Sequence, residues 1–181
     1  TYITVNKTIT LDLNGHDIAS TGLAFFINQD IEFIIRDETN QGSISSNNTN
    51  NLIEVKAGEL IVEGGQLSNN WYVIYAYQSG KATIKGGTLK SKVASVLSTN
   101  GSQEGDANYS GAAVMNVEGG TLLSEQDVTI YVPAGTLNVS GGEIEGVTAI
   151  YSKCGTTTIT GGSIKSEGAA TEFEHSNNGC I

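Results

Sequence analysis

The residues of this sequence best suited to ligand binding are aromatic. Tyr131 and Tyr151 each lie four residues before a glycine, and Trp71 lies in the aromatic segment NNWYVIYAYQSG. Exposed rings beside Asn and Ser side chains are typical of flat sugar-binding surfaces, because sugar C–H groups stack on rings while hydroxyls form hydrogen bonds. The candidate ligand-binding residues are therefore Tyr131, Tyr151, Tyr109 and Trp71. The alternative is that these are ordinary strand aromatics that cap the core.

Carboxylates and histidines do not form a catalytic set in the sequence. A glycoside hydrolase needs two carboxylates about 5 to 10 Å apart on one face. Glu143 and Glu145 lie two residues apart, but no histidine or aromatic neighbour would raise a pKa there. His16 follows a glycine in a predicted turn and His175 lies in a polar tail, so both are expected at the surface. We expect no catalytic residue and no cofactor.

A polar segment, STNGSQEGDANYSG at residues 98–111, contains alternating oxygen-bearing side chains. Such alternation resembles the ligands of a calcium loop, although Asp is missing at the first position and no bidentate Glu closes the loop. The candidate calcium ligands are Asn100, Ser102, Glu104 and Asp106. The alternative is a flexible polar excursion, and such insertions on repeat proteins cluster on the face that meets a partner.

These residues are positioned by a repeat. The segments LIVEGGQL, ATIKGGTL, MNVEGGTL, LNVSGGEI and TTITGGSI follow one another along the chain, and their first paired glycines are 22, 33, 22 and 20 residues apart. A period in the low twenties with short strands indicates a solenoid, and the spacing of 33 marks an insertion of about eleven residues. Two cysteines, Cys154 and Cys180, lie near the last repeat and form either one disulfide or two free thiols.

Side chains alternate inside each repeat with a period of two, which predicts strands rather than helices. The residues expected in one internal stack are Val62, Ile84, Val117, Val139 and Ile159. The residues expected to face water between them are Glu63, Lys85, Glu118, Ser140 and Thr160. A single glycine precedes most of the Gly pairs by six residues, and counting four residues back from it places Tyr131 and Tyr151 outward, one above the other. The same count places Glu54 and Ala76 at the equivalent outward position. The same count turns Tyr75 and Tyr77 inward.

The sequence therefore predicts an all-β fold, a right-handed parallel β-helix of about seven coils with about 22 residues in each. ITLDLNGHDI and FIIRDETNQGSI supply the first two coils. One domain, 1–181, would comprise looser coils over 1–50, regular coils over 51–170, the insertion at 98–111 and a tail at 171–181. An antiparallel sandwich is the alternative, although it would not need a constant glycine frame.

TLDLNGHDI and the VxGGxI-type units resemble repeats of the pectin-lyase-like superfamily, especially those of large adhesin-like surface proteins of bacteria. The resemblance covers nearly the whole chain and implies a fold that hosts lyases, hydrolases and non-catalytic binders. A pectate-lyase type of site would need clustered aspartates for calcium and a neighbouring basic residue. The six aspartates are scattered, and Arg36, the only arginine, lies beside Asp37 and Glu38 in what is predicted to be a solvated turn.

Composition limits the partners. The net charge is −10, with 15% charged residues and 23 glycines, which argues against nucleic acid or an anionic membrane surface as a partner. The sequence has no run of about 20 apolar residues, so membrane insertion is not expected. The polar, β-rich profile predicts an extracellular protein, secreted or anchored at the cell surface, and the chain reads as a fragment whose anchor lies outside it.

Three functions remain open. The first is a non-catalytic binding segment that contacts glycans or a host-surface protein, and an exposed aromatic ladder beside a groove would favour it. The second is a structural stalk. The third is a fragment of a polysaccharide lyase or glycoside hydrolase, which a groove lined by three or more acidic residues would favour. Ice binding would need a regular array of threonines, and only Thr156, Thr157 and Thr158 offer one.

Overall fold

The computed structural model describes residues 1–101 and 109–167, and these residues form strands and turns without a helix. The strands are β1 (Ile3–Val5), β2 (Ile9–Asp12), β3 (Asp17–Ser20), β4 (Phe25–Arg36), β5 (Ser43–Ser46), β6 (Ile53–Val62), β7 (Gln66–Asn69), β8 (Ile74–Ala76), β9 (Lys81–Ile84), β10 (Thr88–Ser91), β11 (Leu97–Thr99), β12 (Val114–Val117), β13 (Thr121–Val132), β14 (Thr136–Val139), β15 (Glu143–Ser152), β16 (Thr156–Ile159) and β17 (Ser163–Ser166).

The strands wind into a parallel β-solenoid with three faces. The first face contains β2, β9, β12, β14 and β16 with the second halves of β4 and β6. The second face contains β3, β5, β7, β10 and β17 with the first halves of β13 and β15. The third face contains β1, β8 and β11, the first halves of β4 and β6, and the second halves of β13 and β15.

Every strand pairs in parallel with the equivalent strand one coil earlier or later, and each face has seven rungs. The predicted all-β solenoid of about seven coils is therefore confirmed. Because long strands such as β13 turn a corner and serve two faces, the coil changes direction without a break in the ladder. The right-handed winding stays an expectation, based on the handedness rule for parallel crossovers.

The core is a set of internal stacks of aliphatic side chains. Val62, Ile84, Val117 and Val139 stack as predicted and are at most 1% exposed. Ile159 pairs with Val139 in the same stack but is 51% exposed, because no described coil covers its other side. The predicted register of Ile159 is right and its predicted burial is wrong. The outward positions between these residues are exposed, and Lys85 lies 3.5 Å from Glu63 of the preceding coil.

The corner between the first and second faces is made by the paired glycines. A side chain on Gly141, the first glycine of its pair, would overlap the carbonyl oxygen of Glu118 in the coil before. Gly142, the second, has a φ of +83°, a conformation that costs little only for glycine. The pair is therefore required by two different constraints at adjacent positions.

The second coil replaces this corner with a longer turn built around a buried carboxylate. Asp37 is only 3% exposed, so the prediction of a solvated turn is wrong for it. Its carboxylate accepts hydrogen bonds from Gly42 N at 2.6 Å, Thr39 Oγ1 at 2.8 Å and Gly15 N at 3.0 Å. Burial alone would raise the pKa of Asp37, but these hydrogen bonds outweigh it and leave the pKa below its ordinary value. Arg36 points outward, 3.0 Å from Asp12.

The predicted insertion at 98–111 begins later than expected. Ser98 and Thr99 are buried strand residues of β11, and the excursion is closed at its base by two hydrogen bonds between Asn100 and Ser110, 2.7 and 3.0 Å long. Ser102, Glu104 and Asp106 lie outside the described residues, as do His175 and the predicted tail at 171–181. Cys154 is disulfide-bonded, and Cys180 lies outside the described residues.

Replacing Ile84 with Asp should destabilise the protein by several kcal/mol, because an unpaired charge would be buried in the internal stack. Thermal or urea unfolding measures the loss. The matched control is Ser140→Asp at an exposed outward position, which should change stability by less than about 0.5 kcal/mol. If Ile84→Asp unfolds like the parent, the inward assignment is wrong.

Replacing Asp37 with Asn should lower the unfolding temperature at pH 7, because the amide cannot accept all the backbone hydrogen bonds that the carboxylate accepts. The pKa of Asp37 is lowered in the folded state, so its stabilising contribution is present above the ordinary pKa of 3.8 and is lost as the pH falls through the folded value. Thermal melts from pH 7 to 2 should show the difference between parent and variant narrowing below about pH 4. The exposed control Asp12→Asn should show a smaller difference, and an equal one would contradict the assignment.

Candidate functional site

The third face carries a column of outward side chains. Parallel register places seven residues above one another, one per coil: Thr4, Phe26, Glu54, Tyr75, Ser98, Tyr131 and Tyr151. Their strand neighbours, such as Ile130 and Val132, point into the core and are fully buried. The alternation of side chains along each short strand therefore turns this column towards solvent. We call the column, together with the adjacent Trp71, Tyr72 and Tyr77, the aromatic face.

Tyr131 and Tyr151 occupy the predicted positions, but two of their neighbours do not. Tyr75 was expected inward and Ala76 outward, whereas the structure pairs Tyr75 with Glu54 and buries Ala76 completely. The turn before Gly80 contains one residue more than the turns before Gly58, Gly135 and Gly155, with Gln78 in a left-handed conformation at φ +54°. One extra residue reverses which side chains face the core. Tyr77 is buried as expected, at 9% exposed, but its ring contacts that of Tyr75 instead of the internal stacks.

The rings form two stacks. Tyr131 and Tyr151 are parallel, with their centroids 5.6 Å apart and an interplanar angle of 2°. In the other stack Tyr72 lies parallel to Tyr75 at 5.7 Å, Trp71 contacts Tyr72 at 5.3 Å and Tyr77 contacts Tyr75 at 5.4 Å. Such distances are in the range in which aromatic pairs attract one another. The structure thus joins Trp71 and the two predicted tyrosines into one aromatic surface.

Ser98 lies between the two stacks. Its side chain takes an outward position of the column but is only 1% exposed, and it forms a hydrogen bond with the hydroxyl of Tyr72. Its Oγ also lies 3.0 Å from the carbonyl oxygen of Thr99. A small side chain at this rung therefore leaves room for the Tyr72 ring to cover the column, which keeps the aromatic surface continuous.

The hydroxyls of Tyr72, Tyr75, Tyr77 and Tyr131 stay protonated, because the pKa of each is raised. Burial raises the pKa of Tyr75 far above its usual value, and Tyr72, Glu54 and Tyr77 raise it further. Burial also raises the pKa of Tyr72 and Tyr131. Each phenol is therefore a neutral hydrogen-bond donor at any physiological pH. The face offers apolar rings with polar edges, which is the chemistry a sugar or a peptide surface requires.

A groove adjoins the aromatic face where the second and third faces meet. We call it the aromatic groove; it has a volume of about 580 Å³, and its lining includes Tyr2, Trp71, Asn50, Asn51 and Glu54. Asn51 donates a hydrogen bond of 2.9 Å to the Glu54 carboxylate. Sequence reasoning missed this groove, because its walls come from three coils and from turns of different lengths. Thr1 also lines the groove.

A second groove, the acidic groove, lies at the corner between the third and first faces. It has a volume of about 730 Å³, and its lining includes the carboxylates of Asp30, Glu32 and Glu59. Glu59 is already engaged: Lys81 lies 3.1 Å away, and Thr83 Oγ1 donates a hydrogen bond of 2.7 Å. The acidic groove nevertheless has three acidic residues in its lining, the feature expected of a polysaccharide lyase or glycoside hydrolase.

The other predicted site residues that the structure describes, Tyr109 and Asn100, are not on the aromatic face. The ring of Tyr109 packs against Gly101 and Gly111 at the base of the insertion, and no ring contact joins it to another described aromatic residue. Of the candidate calcium ligands only Asn100 is described. His16 is exposed in its turn, as expected. Within residues 1–101 and 109–167, no group of three His, Cys, Asp or Glu side chains could hold a metal ion.

No helix in the described part of the chain has the length and apolarity that crossing a membrane requires. Comparison of the chain with protein-family models, with curated proteins and with solved structures found no match. What the sequence and the structure define is the class of fold, a parallel β-solenoid, with an aromatic face on one of its three sides.

Proposed function

We propose that this chain is a non-catalytic binding segment of a secreted or surface-anchored bacterial protein, and that it contacts glycans or a host-surface protein through its aromatic face. The observation that supports this most directly is the pair of ring stacks on one face of the solenoid, beside the aromatic groove. The resemblance of the repeats to the pectin-lyase-like superfamily and to adhesin-like surface proteins is consistent with the proposal.

The two tyrosines Tyr131 and Tyr151 make the simplest contact surface. Both are half-buried, and the planes of their rings are parallel. Two rings at this spacing form a strip wide enough for one sugar ring. Because both rings lie on one face, their apolar area stays exposed to water unless a ligand covers it. A stalk would need the same core but would not need this strip.

Replacing both Tyr131 and Tyr151 with Ala should leave the fold intact and weaken glycan or surface binding at least tenfold, about 1.4 kcal/mol. The loss is expected because stacking on the rings supplies much of the contact. A glycan-array screen identifies the ligand, and calorimetry on that ligand measures the change in Kd. Unchanged binding by a well-folded double variant would favour the structural stalk instead.

Two controls separate the possible causes of a loss. The Tyr131→Phe, Tyr151→Phe variant keeps the stack and removes the hydroxyls, so it measures the hydrogen-bonding share. The Asn116→Ala, Asn138→Ala variant removes a polar pair from adjacent coils of the first face, where the two side chains are 3.0 Å apart. Binding should survive the second control, because that pair lies on a different side of the solenoid.

A polysaccharide lyase or glycoside hydrolase is the second candidate function, and the acidic groove is the observation that favours it. We favour binding over cleavage because Glu59 is neutralised by Lys81, and because the described groove offers no histidine or arginine to act beside the carboxylates. Asp30 and Glu32 would have to carry out acid–base chemistry alone.

Incubation with acidic and neutral polysaccharides should therefore release no unsaturated or reducing ends above the background. Absorbance of the unsaturated product and a reducing-sugar assay detect the two reactions. Release that Glu32→Gln abolishes, and that the outward control Glu118→Gln does not, would refute the non-catalytic proposal.

A further inference from the structure

The aromatic groove combines exposed rings with a single carboxylate. Tyr2 is 49% exposed and Trp71 is 36% exposed, and both line the groove together with Asn50 and Asn51. Glu54 is the only charged side chain among the described residues of its lining. A cation placed in such a groove can contact the face of a ring and a carboxylate at the same time.

The Glu54 carboxylate is held by neutral donors. Asn51 Nδ2 lies 2.9 Å from one of its oxygens, and the Tyr77 hydroxyl donates a hydrogen bond to it. These contacts fix the orientation of the carboxylate without neutralising its charge. By contrast, five other described glutamates, Glu59, Glu63, Glu125, Glu145 and Glu167, each have a lysine nitrogen within 3.5 Å. No lysine or arginine among the described residues forms an ion pair with Glu54.

We propose that the aromatic groove binds the ammonium group of an amino sugar, with Glu54 as its ion-pair partner and Tyr2 and Trp71 as stacking and cation–π partners. The proposal rests on the proposed function and adds the class of sugar. An acidic sugar would meet both the Glu54 carboxylate and the net charge of −10, whereas an amino sugar is electrostatically complementary to them.

The test compares two disaccharides with the same sugar backbone: the β-1,4-linked dimer of glucosamine, whose amines are charged, and its di-N-acetylated counterpart, in which acetyl groups remove that charge. Calorimetry or NMR titration at low ionic strength should show the free amine binding roughly five- to tenfold more tightly. Glu54→Gln should remove this preference while leaving the affinity for the acetylated dimer unchanged. Trp71→Leu should weaken binding of both sugars, because it removes a ring and keeps the carboxylate.

The control must exclude attraction by the overall negative charge. Glu118→Gln makes the same change in net charge at an exposed corner outside the groove, and it should keep the preference for the amine. All variants need an identical N-terminus, since Thr1 lines the groove.

Equal affinity for the two dimers, or the same loss of the preference for the amine in Glu118→Gln as in Glu54→Gln, would overturn the inference. If neutral sugars still bound, and if that binding required Tyr131 and Tyr151, the proposed function would stand without the inference about the amino sugar. Absence of binding by both dimers and all other glycans would overturn the inference and leave only contact with a host-surface protein from the proposed function.

Discussion

The close approach of successive backbones at the Gly-Gly corner is the constraint on which the rest of this structure depends. The strands of neighbouring coils lie about 4.8 Å apart, so equivalent turns must stack directly on one another. A side chain on Gly119 would overlap the carbonyl oxygen of Lys85, just as one on Gly141 would overlap that of Glu118. Because only glycine fits at this corner in the five coils that have the pair, each of these coils keeps the register of the coil before it, and their columns of side chains on the first and second faces follow.

Register also explains why rings, rather than scattered polar residues, define the third face. Once two coils are in register, identical residues at equivalent positions are held at about the strand spacing, and the 5.6 Å between the rings of Tyr131 and Tyr151 is close to that distance. The rings therefore stack without any further requirement. The corner beside them is held by buried hydroxyls: Ser91 donates to the carbonyl oxygen of Trp71 at 2.8 Å, and Ser124 donates to that of Ala94 at 2.8 Å. The first bond fixes the turn that presents Trp71 and Tyr72, and the second fixes the equivalent turn of the next coil.

The first two faces could be predicted from the sequence because the glycine pair lies between them and provides a fixed origin for counting. The internal stack from Val62 to Val139 was found in this way. The third face lies beyond turns of varying length, so an error of one residue exchanges inside and outside, and this happened at Tyr75. The Asp37 turn was misjudged for a different reason. A carboxylate next to Arg36 and Glu38 looks solvated in the sequence, and only the folded backbone shows that the N–H groups of Gly15 and Gly42 converge on it.

The distribution of charge shows how the three faces differ in what they can bind. On the first two faces and their corners, glutamates such as Glu59, Glu63 and Glu145 are paired with lysines of neighbouring coils. Exposed pairs of this kind add little stability, but they neutralise the surface locally. The outward column of the third face contains one charged residue, Glu54, whose known contacts are with neutral donors. A ligand that approaches this face therefore meets rings, hydroxyls and the negative charge of Glu54, with the Asp127 carboxylate close to Tyr72. That combination suits a neutral or cationic sugar and disfavours an acidic one. The third face, whose turns vary most in length, is therefore the face whose side chains differ most from the paired charges of the other two.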